Sequence, residues 1–405
     1  MIHSKRLIPC ALALTTAAML ACSAGAASEE VSGAGAVLAL PFGSTPGVAE
    51  AAAASEALAW QVIGGMDTAN RVTSPSSMAM SLAMVGEGAV GASAESIDDA
   101  FGLAGDERSS AFGALRQSLA GYESLPKKVD ARNPPETPVV HQASRVLVIG
   151  EPINQPFLDR LKKFYDAPAA QAERDGAEGD LNAWVRKNTA GLIDKSGMKV
   201  TPDTRAVVQD AVLFAAAWDS PFPSEPRLPF HTPDGDKDIS YVAGTATARW
   251  ADGDRWKAVR LPYDDVLAAD VILPNEGVSP SALTAAELAD ATRELGASAP
   301  DAGTVVMPSF DVAAKIDLLE GLPELDLDHL DGILPQGYLE QWVQQVRLQV
   351  SAKGTVGVAV TEAGAAGGAA PTEPFVVDRP YVFRVLDTRT GWPLFLAVIA
   401  DPSAG

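Results

Sequence analysis

The chain has 405 residues, and 52 acidic side chains against 31 basic ones leave a formal net charge of −21 at neutral pH. That balance argues against nucleic acid and anionic membrane surfaces as partners, which call for a basic face. With 47% hydrophobic residues, 20% charged residues and two cysteines, it reads as a globular body of one large or two smaller domains, stabilised by its core rather than by a disulfide.

The chain opens on a leader. Lys5 and Arg6 precede LIPCALALTTAAML, a fourteen-residue apolar run that is too short for a stable membrane span, so residues 1–22 read as a signal peptide. Two exits compete: signal peptidase cutting near Ala24-Gly25-Ala26, or lipoprotein processing at Cys22, where Met19-Leu20-Ala21-Cys22 loosely fits a lipobox. Acylation would account for Cys22, since Cys10 lies inside the signal. Either exit leaves the protein on the extracellular side, secreted or as a cell-envelope lipoprotein attached to the membrane through the lipid on Cys22. Residues 23–46 begin small and polar (SAGAASEEVSGAGAV) and read as a flexible leader, with the folded domain over 47–405.

Within the body, Ala-rich periodicity predicts a helix over Val48–Ile63, and Ser74-Pro75 marks the start of a second one within Asn70–Val90. A charged, Pro-rich connection over Pro126–Pro138 leads to a strand at Val139–Ile149. Helices follow at Phe157–Tyr165 and Gly179–Ile193. The almost unbroken apolar run Ala206–Trp218 predicts a strand covered on both faces. Short strands at Tyr241–Ala243, Trp256–Leu261 and Ala268–Leu273 precede a helix at Ala286–Leu295. Strands at Thr304–Phe310 and Trp342–Val350 and a terminal hairpin, Tyr381–Leu386 with Leu394–Ile399, complete the chain. Helices early and strands late point to an α+β fold rather than alternating βαβ units.

No motif supplies a catalytic centre. Gly86-Glu87-Gly88-Ala89-Val90-Gly91 has the spacing of a dinucleotide loop but closes a helix instead of following a strand. Ser196-Gly197-Met198-Lys199 has no S-D-N or K-T-G partner downstream. His141, His231 and His329 include no pair at metal-ligand spacing, so no metal and no cofactor are expected.

The most informative stretch is Ser351–Thr372 (SAKGTVGVAVTEAGAAGGAAPT). Thr355, Gly357, Ala359 and Thr361 alternate with Val356, Val358 and Val360, which places small residues on one face and β-branched ones on the other. From Ala363 to Ala370 only Ala and Gly occur, a composition suited to an exposed, pliant loop. A potential strand joined to a protease-accessible loop suggests a conformational device.

Taken in order, the motifs resemble the serpin family over Glu56 to Pro402. Asn70, Ser74, Pro75, Ser77, Leu82, Gly88, Ala89 and Gly91 fit its first block, and Asn182, Trp184, Thr189, Gly191 and Ile193 its N-x-W-V…T-x-G-x-I helix. Ala211, Phe214 and Trp218 resemble its N-A-x-x-F-x-G-x-W strand. Leu261-Pro262-Tyr263, Met307-Pro308-Ser309-Phe310, Gly354-Thr355 and the closing residues Pro380, Phe383, Gly391, Leu394, Phe395 and Pro402 follow. The resemblance implies three sheets, about nine helices and an exposed reactive loop over about 354–379. It implies a monomer that is not an enzyme but inhibits a serine protease, or a cysteine protease, by loop cleavage, covalent trapping and insertion of the loop into the main sheet. The hinge would comprise Gly354, Thr355, Gly357, Ala359, Thr361 and Ala363. Family spacing sets the scissile bond in the window Ala366–Ala370, with Gly368-Ala369 central. Ser74, Ser77, Asp210, Trp218 and Gln344 would form the shutter and breach beneath the hinge. No Lys or Arg lies between Lys353 and Arg379, so the expected target has a small specificity pocket, elastase-like or subtilisin-like. Asp210, Ala216 and Gln344 depart from the family's Asn, Gly and His, and Ala352 and Val356 replace acidic hinge residues. Those losses leave a non-inhibitory binding or carrier protein as the alternative.

Overall fold

The computed structural model describes residues 28–125, 129–130, 133–355 and 373–404. In chain order the first half gives β1 (Glu29–Val31), α1 (Val48–Gly65), β2 (Arg71–Thr73), α2 (Pro75–Gly86), α3 (Gly91–Phe101), α4 (Gly105–Ser118), β3 (Val139–Ile149), α5 (Gln155–Arg160), β4 (Ala169–Ala172), α6 (Arg174–Asn188) and β5 (Ala206–Ala217). The second half gives β6 (Arg227–Thr232), β7 (Gly235–Asp252), β8 (Trp256–Pro262), β9 (Leu267–Pro274), α7 (Ala285–Ala297), β10 (Asp301–Pro308), β11 (Phe310–Asp317), α8 (Leu318–Gly321), β12 (Val343–Ser351), β13 (Gly354–Thr355), β14 (Phe375–Val376), β15 (Tyr381–Asp387) and β16 (Pro393–Ile399).

The main sheet runs β1-β4-β3-β5-β13-β12-β11. The other strands form a nine-stranded assembly joined through β7. Residues 235–240 of β7 pair with β6, 241–248 pair with β10, and 249–252 pair with β8. One 18-residue strand therefore belongs to an upper and a lower sheet, where the sequence pattern predicts only the short piece Tyr241–Ala243. Similarly, the single strand expected over Thr304–Phe310 is two: β10 lies in the upper sheet and β11 in the main sheet. Pro308, last in β10, has no N–H to carry a ladder onward.

Between the layers lies α2. Every one of its residues is buried, as expected for a helix without a charged face. Ser74 caps it, accepting from the Ser77 amide, and Pro75 occupies the first turn. The glycines after α2 allow close packing: a Cβ on Gly88 would lie 2.3 Å from Ile333 Cγ1. On the opposite face of the main sheet, Leu181 of α6 and Met198 pack with Val207, while Val208 and Phe214 face the central core. This two-sided cover explains the unbroken apolar run of β5.

The flexible leader expected over 23–46 does not hold for residues 28–46. Glu29, Glu30 and Val31 extend the main sheet by pairing with β4. Leu38 N–H donates to Lys163 O at 2.8 Å, and Leu40 N–H to Gln117 Oε1 at 2.9 Å. Small residues here permit close approach: a Cβ on Gly33 would lie 2.1 Å from Leu158 O.

Candidate functional site

The site lies between β5 and β12 of the main sheet. β5 pairs with β3 along one edge over Ala206–Ala215, and β12 pairs with β11 along one edge over Val343–Val350. Their other edges face each other. Among the described residues those edges are bridged only by β13, whose Gly354 and Thr355 pair with Ala217 and Ala216 on one side and with Ser351 and Val350 on the other. Below β13 lies a slot of about 60 Å³ between β5 and β12, reaching from Ser74 and Ser77 on the core side to Trp184 and Met198 under α6. Among the described residues no strand pairs with these facing edges below β13, and an edge of that kind is a template for one more strand.

The top of the slot is tightly fitted. Trp218, just after β5, stacks on Tyr263 with ring centroids 4.6 Å apart and planes at 11°. Its indole N–H donates to Ser351 O at 3.0 Å, and its amide donates to Lys353 O at 3.0 Å. The Tyr263 hydroxyl donates to Thr355 Oγ1 at 2.5 Å, and Thr355 is fully buried. At Gly354 a Cβ would lie 2.2 Å from Ala216 O and 2.7 Å from Pro134 Cγ, so only glycine fits. Phe222 N–H donates to Ala352 O at 2.8 Å, and Ala352, which stands where the family pattern has a hinge glutamate, is buried.

The other end of the expected loop is anchored in the upper sheet. β14 pairs in parallel with β10, Phe375 opposite Val305 and Val376 opposite Val306, and Val377 N–H donates to Val306 O at 2.8 Å. Within the expected loop 354–379, Gly354 and Thr355 are buried at one end and Phe375 and Val377 at the other, so these four residues are not exposed. Gly357, Ala359, Thr361 and Ala363, the bond Gly368-Ala369 with its window Ala366–Ala370, and Cys22 lie outside the described residues.

At mid-slot the structure brings Ser74, Ser77, Asp210 and Gln344 together around one cavity. Gln344 replaces a histidine without orphaning its neighbours. Its Oε1 accepts from Thr73 Oγ1 at 2.6 Å and from the Ser74 amide at 3.0 Å, while Nε2 donates to Ser74 O at 2.9 Å. Ser74 Oγ donates to Leu394 O at 2.7 Å, which ties the start of α2 to β16. Across the slot, Asp210 Oδ2 accepts from Ser144 Oγ of β3, whereas Oδ1 is buried and meets no hydrogen-bond partner among the described residues. Burial pushes this carboxyl up to about 6, against hydrogen bonds from Ser144 and Ser77 and the charge of Arg116. Thr73, Ser144 and Tyr263 complete the site. The sequence offered Tyr263 only as part of a motif, and gave no signal for the other two.

The comparisons agree with this geometry. The family model described as Serpin (serine protease inhibitor) matches residues 55–402. The chain belongs to the serpin family, whose members are generally protease inhibitors rather than catalysts. It is 28% identical over 370 residues to plasminogen activator inhibitor 1 of Sus scrofa, covering 84% of this chain and 89% of that protein. To an uncharacterised serpin-like protein of Thermococcus kodakarensis it is 27% identical over 358 residues, 82% and 80% of the two chains. Among solved structures, the native thermophilic serpin tengpin superposes with a TM-score of 0.76 at 18% identity, covering 93% of this chain and all of that one. At that identity the likeness shows the fold.

Proposed function

We propose that this protein inhibits a serine protease of small-residue specificity by loop cleavage, covalent trapping and strand insertion. The observation that carries the reading is the slot with β13 already seated at its top. Continuing the β13 register, Thr355 opposite Ala216 and Val350, sets Gly357 between Phe214 and Leu348, and Ala359 between Val212 and Val346. Thr361 then falls between Asp210 and Gln344, and Ala363 between Val208 and Trp342. Each of these inward-facing loop residues is small, as burial between two packed strands requires.

In this reading the protease serine attacks the carbonyl of Gly368 within the window Ala366–Ala370. An ester forms, and the peptide bond to Ala369 breaks to release a new amino terminus. The freed segment zips into the slot and carries the ester-linked protease with it. Serpin loop insertion is an instance of strand addition to a sheet. Gln344 keeps the core side of the slot hydrogen-bonded, which favours inhibition over the carrier alternative. We further propose an extracellular site of action, secreted or lipid-anchored through Cys22.

Mixing the protein with an elastase-like and a subtilisin-like protease tests the reading. A band at the summed mass on a denaturing gel is the expected result, with the released C-terminal peptide locating the bond. Clean cleavage that leaves the protease active and the melting temperature of the cleaved protein unchanged would refute insertion and favour the carrier.

A further inference from the structure

A second cavity lies at the far edge of β3 from the slot. β3 pairs with β5 over Val139–Val148 but with β4 only over Val146–Ile149, so among the described residues 139–145 keep one edge outside the sheet. A cleft of about 500 Å³ lies there, walled by this stretch of β3, by α4 and by α6. Its apolar wall includes Leu119 and Val140, both buried, and the partly exposed Trp184. Arg116 of α4 lines the same cleft and is partly exposed. Its Nη1 reaches Ser144 Oγ at 3.5 Å, the outer limit of a hydrogen bond, and that is the guanidinium's only hydrogen bond among the described residues. Asp210, Glu123 and Asp166 act on it through their charge alone. The buried Arg145, Arg260 and Arg384, by contrast, each meet a carboxylate at 2.6 Å. Burial pushes Arg116 below its ordinary value, yet a guanidinium stays protonated in a protein. The nearby carboxylates are engaged elsewhere: Glu123 meets His141 and accepts from the Gln142 amide, and Asp166 is held by Lys162. The cleft therefore joins an apolar wall to a charged fork whose donors are largely uncommitted, and such a charge gains from a partner that can be brought against it.

We propose that this cleft binds a small amphipathic monocarboxylate, its carboxylate paired with the Arg116 guanidinium and its apolar body laid against Trp184, Leu119 and Val140. The planar fork of an arginine matches the two oxygens of a carboxylate. The volume suits a ligand of a few rings or a short chain. One negative charge is the limit that the surroundings set. Glu30, Glu123 and Asp166 also line the cleft, against Lys187 of α6, and the chain as a whole carries −21, so a dianion or a polyanion is repelled. Every residue in the argument belongs to the described body, outside the loop. The proposal goes beyond the insertion reading and does not depend on it.

The experiment titrates the full-length protein calorimetrically with three probes that share one ring system: 2-naphthoate, its neutral amide and 2-naphthyl phosphate. The carboxylate should bind one to one, and the amide and the phosphate at least about tenfold more weakly. Arg116→Gln should weaken the carboxylate by about 10- to 100-fold, the worth of hydrogen bonds to a charged group, and leave the amide unchanged. Absence of saturable carboxylate binding would overturn the proposal, as would equal affinity for acid and amide. A phosphate bound more tightly than the carboxylate would overturn the ligand class. Full affinity retained in Arg116→Gln would overturn the site. Should Arg116→Gln fold poorly, Ala143→Phe decides instead. That partly exposed residue of β3 lines the cleft, so its enlargement should block the carboxylate, and undiminished binding would refute the assignment. Protease trapping is measured separately, so loss of either reading leaves the other standing.

Discussion

A single charge in the hinge gives the sharpest test of strand insertion. On the insertion reading proposed above, the continued register would bring Ala359 between Val212 and Val346, on the face that β5 and β12 turn toward the core. Val346 is 4% exposed there, and the neighbouring inward positions Phe214 and Leu348 are likewise buried. In Ala359→Arg the guanidinium would be buried among these side chains with no carboxylate facing it in the slot except Asp210, one inward position further along. Burying an unpaired charge costs several kcal/mol even after relaxation. A penalty of about 4 kcal/mol on the inserting step corresponds to about a thousandfold slower insertion. Hydrolysis of the acyl-enzyme would then win, and the variant would be consumed as a substrate. Ala359→Ser, with a small side chain able to hydrogen-bond locally, should remain an inhibitor. The assay is the number of inhibitor molecules consumed per protease molecule trapped, read from the ratio of complex to cleaved bands. If Ala359→Arg still traps protease with a stoichiometry close to that of the parent, the register and the burial argument are both wrong.

Two further predictions concern the fixed parts of the molecule. Arg384, fully buried in β15, bonds Glu56 of α1 and donates to Asp270 Oδ2 of β9 at 2.6 Å, while Arg260 of β8 also holds Asp270 at 2.6 Å. Although burial alone would raise it, the two arginines hold the Asp270 carboxyl below its usual value. Arg384→Ala should cost about 3–5 kcal/mol by leaving Glu56 buried and unpaired, and adding Glu56→Gln should recover part of that loss in a denaturant titration; a double variant no more stable than the single one would contradict this. At the hinge, Gly354→Ala forces a Cβ against Ala216 O and should unseat β13. The expected signs are faster amide exchange at Thr355 and a changed fluorescence of Trp218, with the lower sheet unaffected. Unchanged exchange would mean that the tight fit at Gly354 does not hold β13 in place.

Much of the fold was legible because it depends on local pattern. The strand Val139–Ile149 coincides with β3, Ser74-Pro75 marks the start of α2, and the terminal hairpin turns at Gly391, whose φ of +72° suits glycine. What failed did so for want of local signal. In α4 the sequence GDERSSAFGALRQS carries little apolar periodicity, because its buried face uses Ala, Gly and Ser under other elements, and a buried Arg108 bonded to Asp98. Residues 28–46 look like a tether by composition, yet their backbone groups find partners on β4, the Leu161–Tyr165 turn and α4. The length of β7 was hidden because its buried positions outside Tyr241–Val242 are the isolated Ile239, Ala246 and Ala248, interrupted by exposed polar residues.

By itself the sequence determined the alternation of small and β-branched residues after Gly354, which needs no tertiary information, since side-chain period along a strand is a property of the backbone. The order of its motifs carried the resemblance to the family, and through it the slot-lining residues Ser74, Ser77, Asp210 and Gln344; that no Lys or Arg lies between Lys353 and Arg379 is read directly from the chain. Only the tertiary structure decided that, among the described residues, β5 and β12 are bridged by Gly354 and Thr355 alone, and that Ser74, Ser77, Asp210 and Gln344 line one cavity below them. Strand pairing and hydrogen-bond satisfaction are relations between residues more than a hundred positions apart, as with Gly354 and Ala217, and no local pattern encodes them.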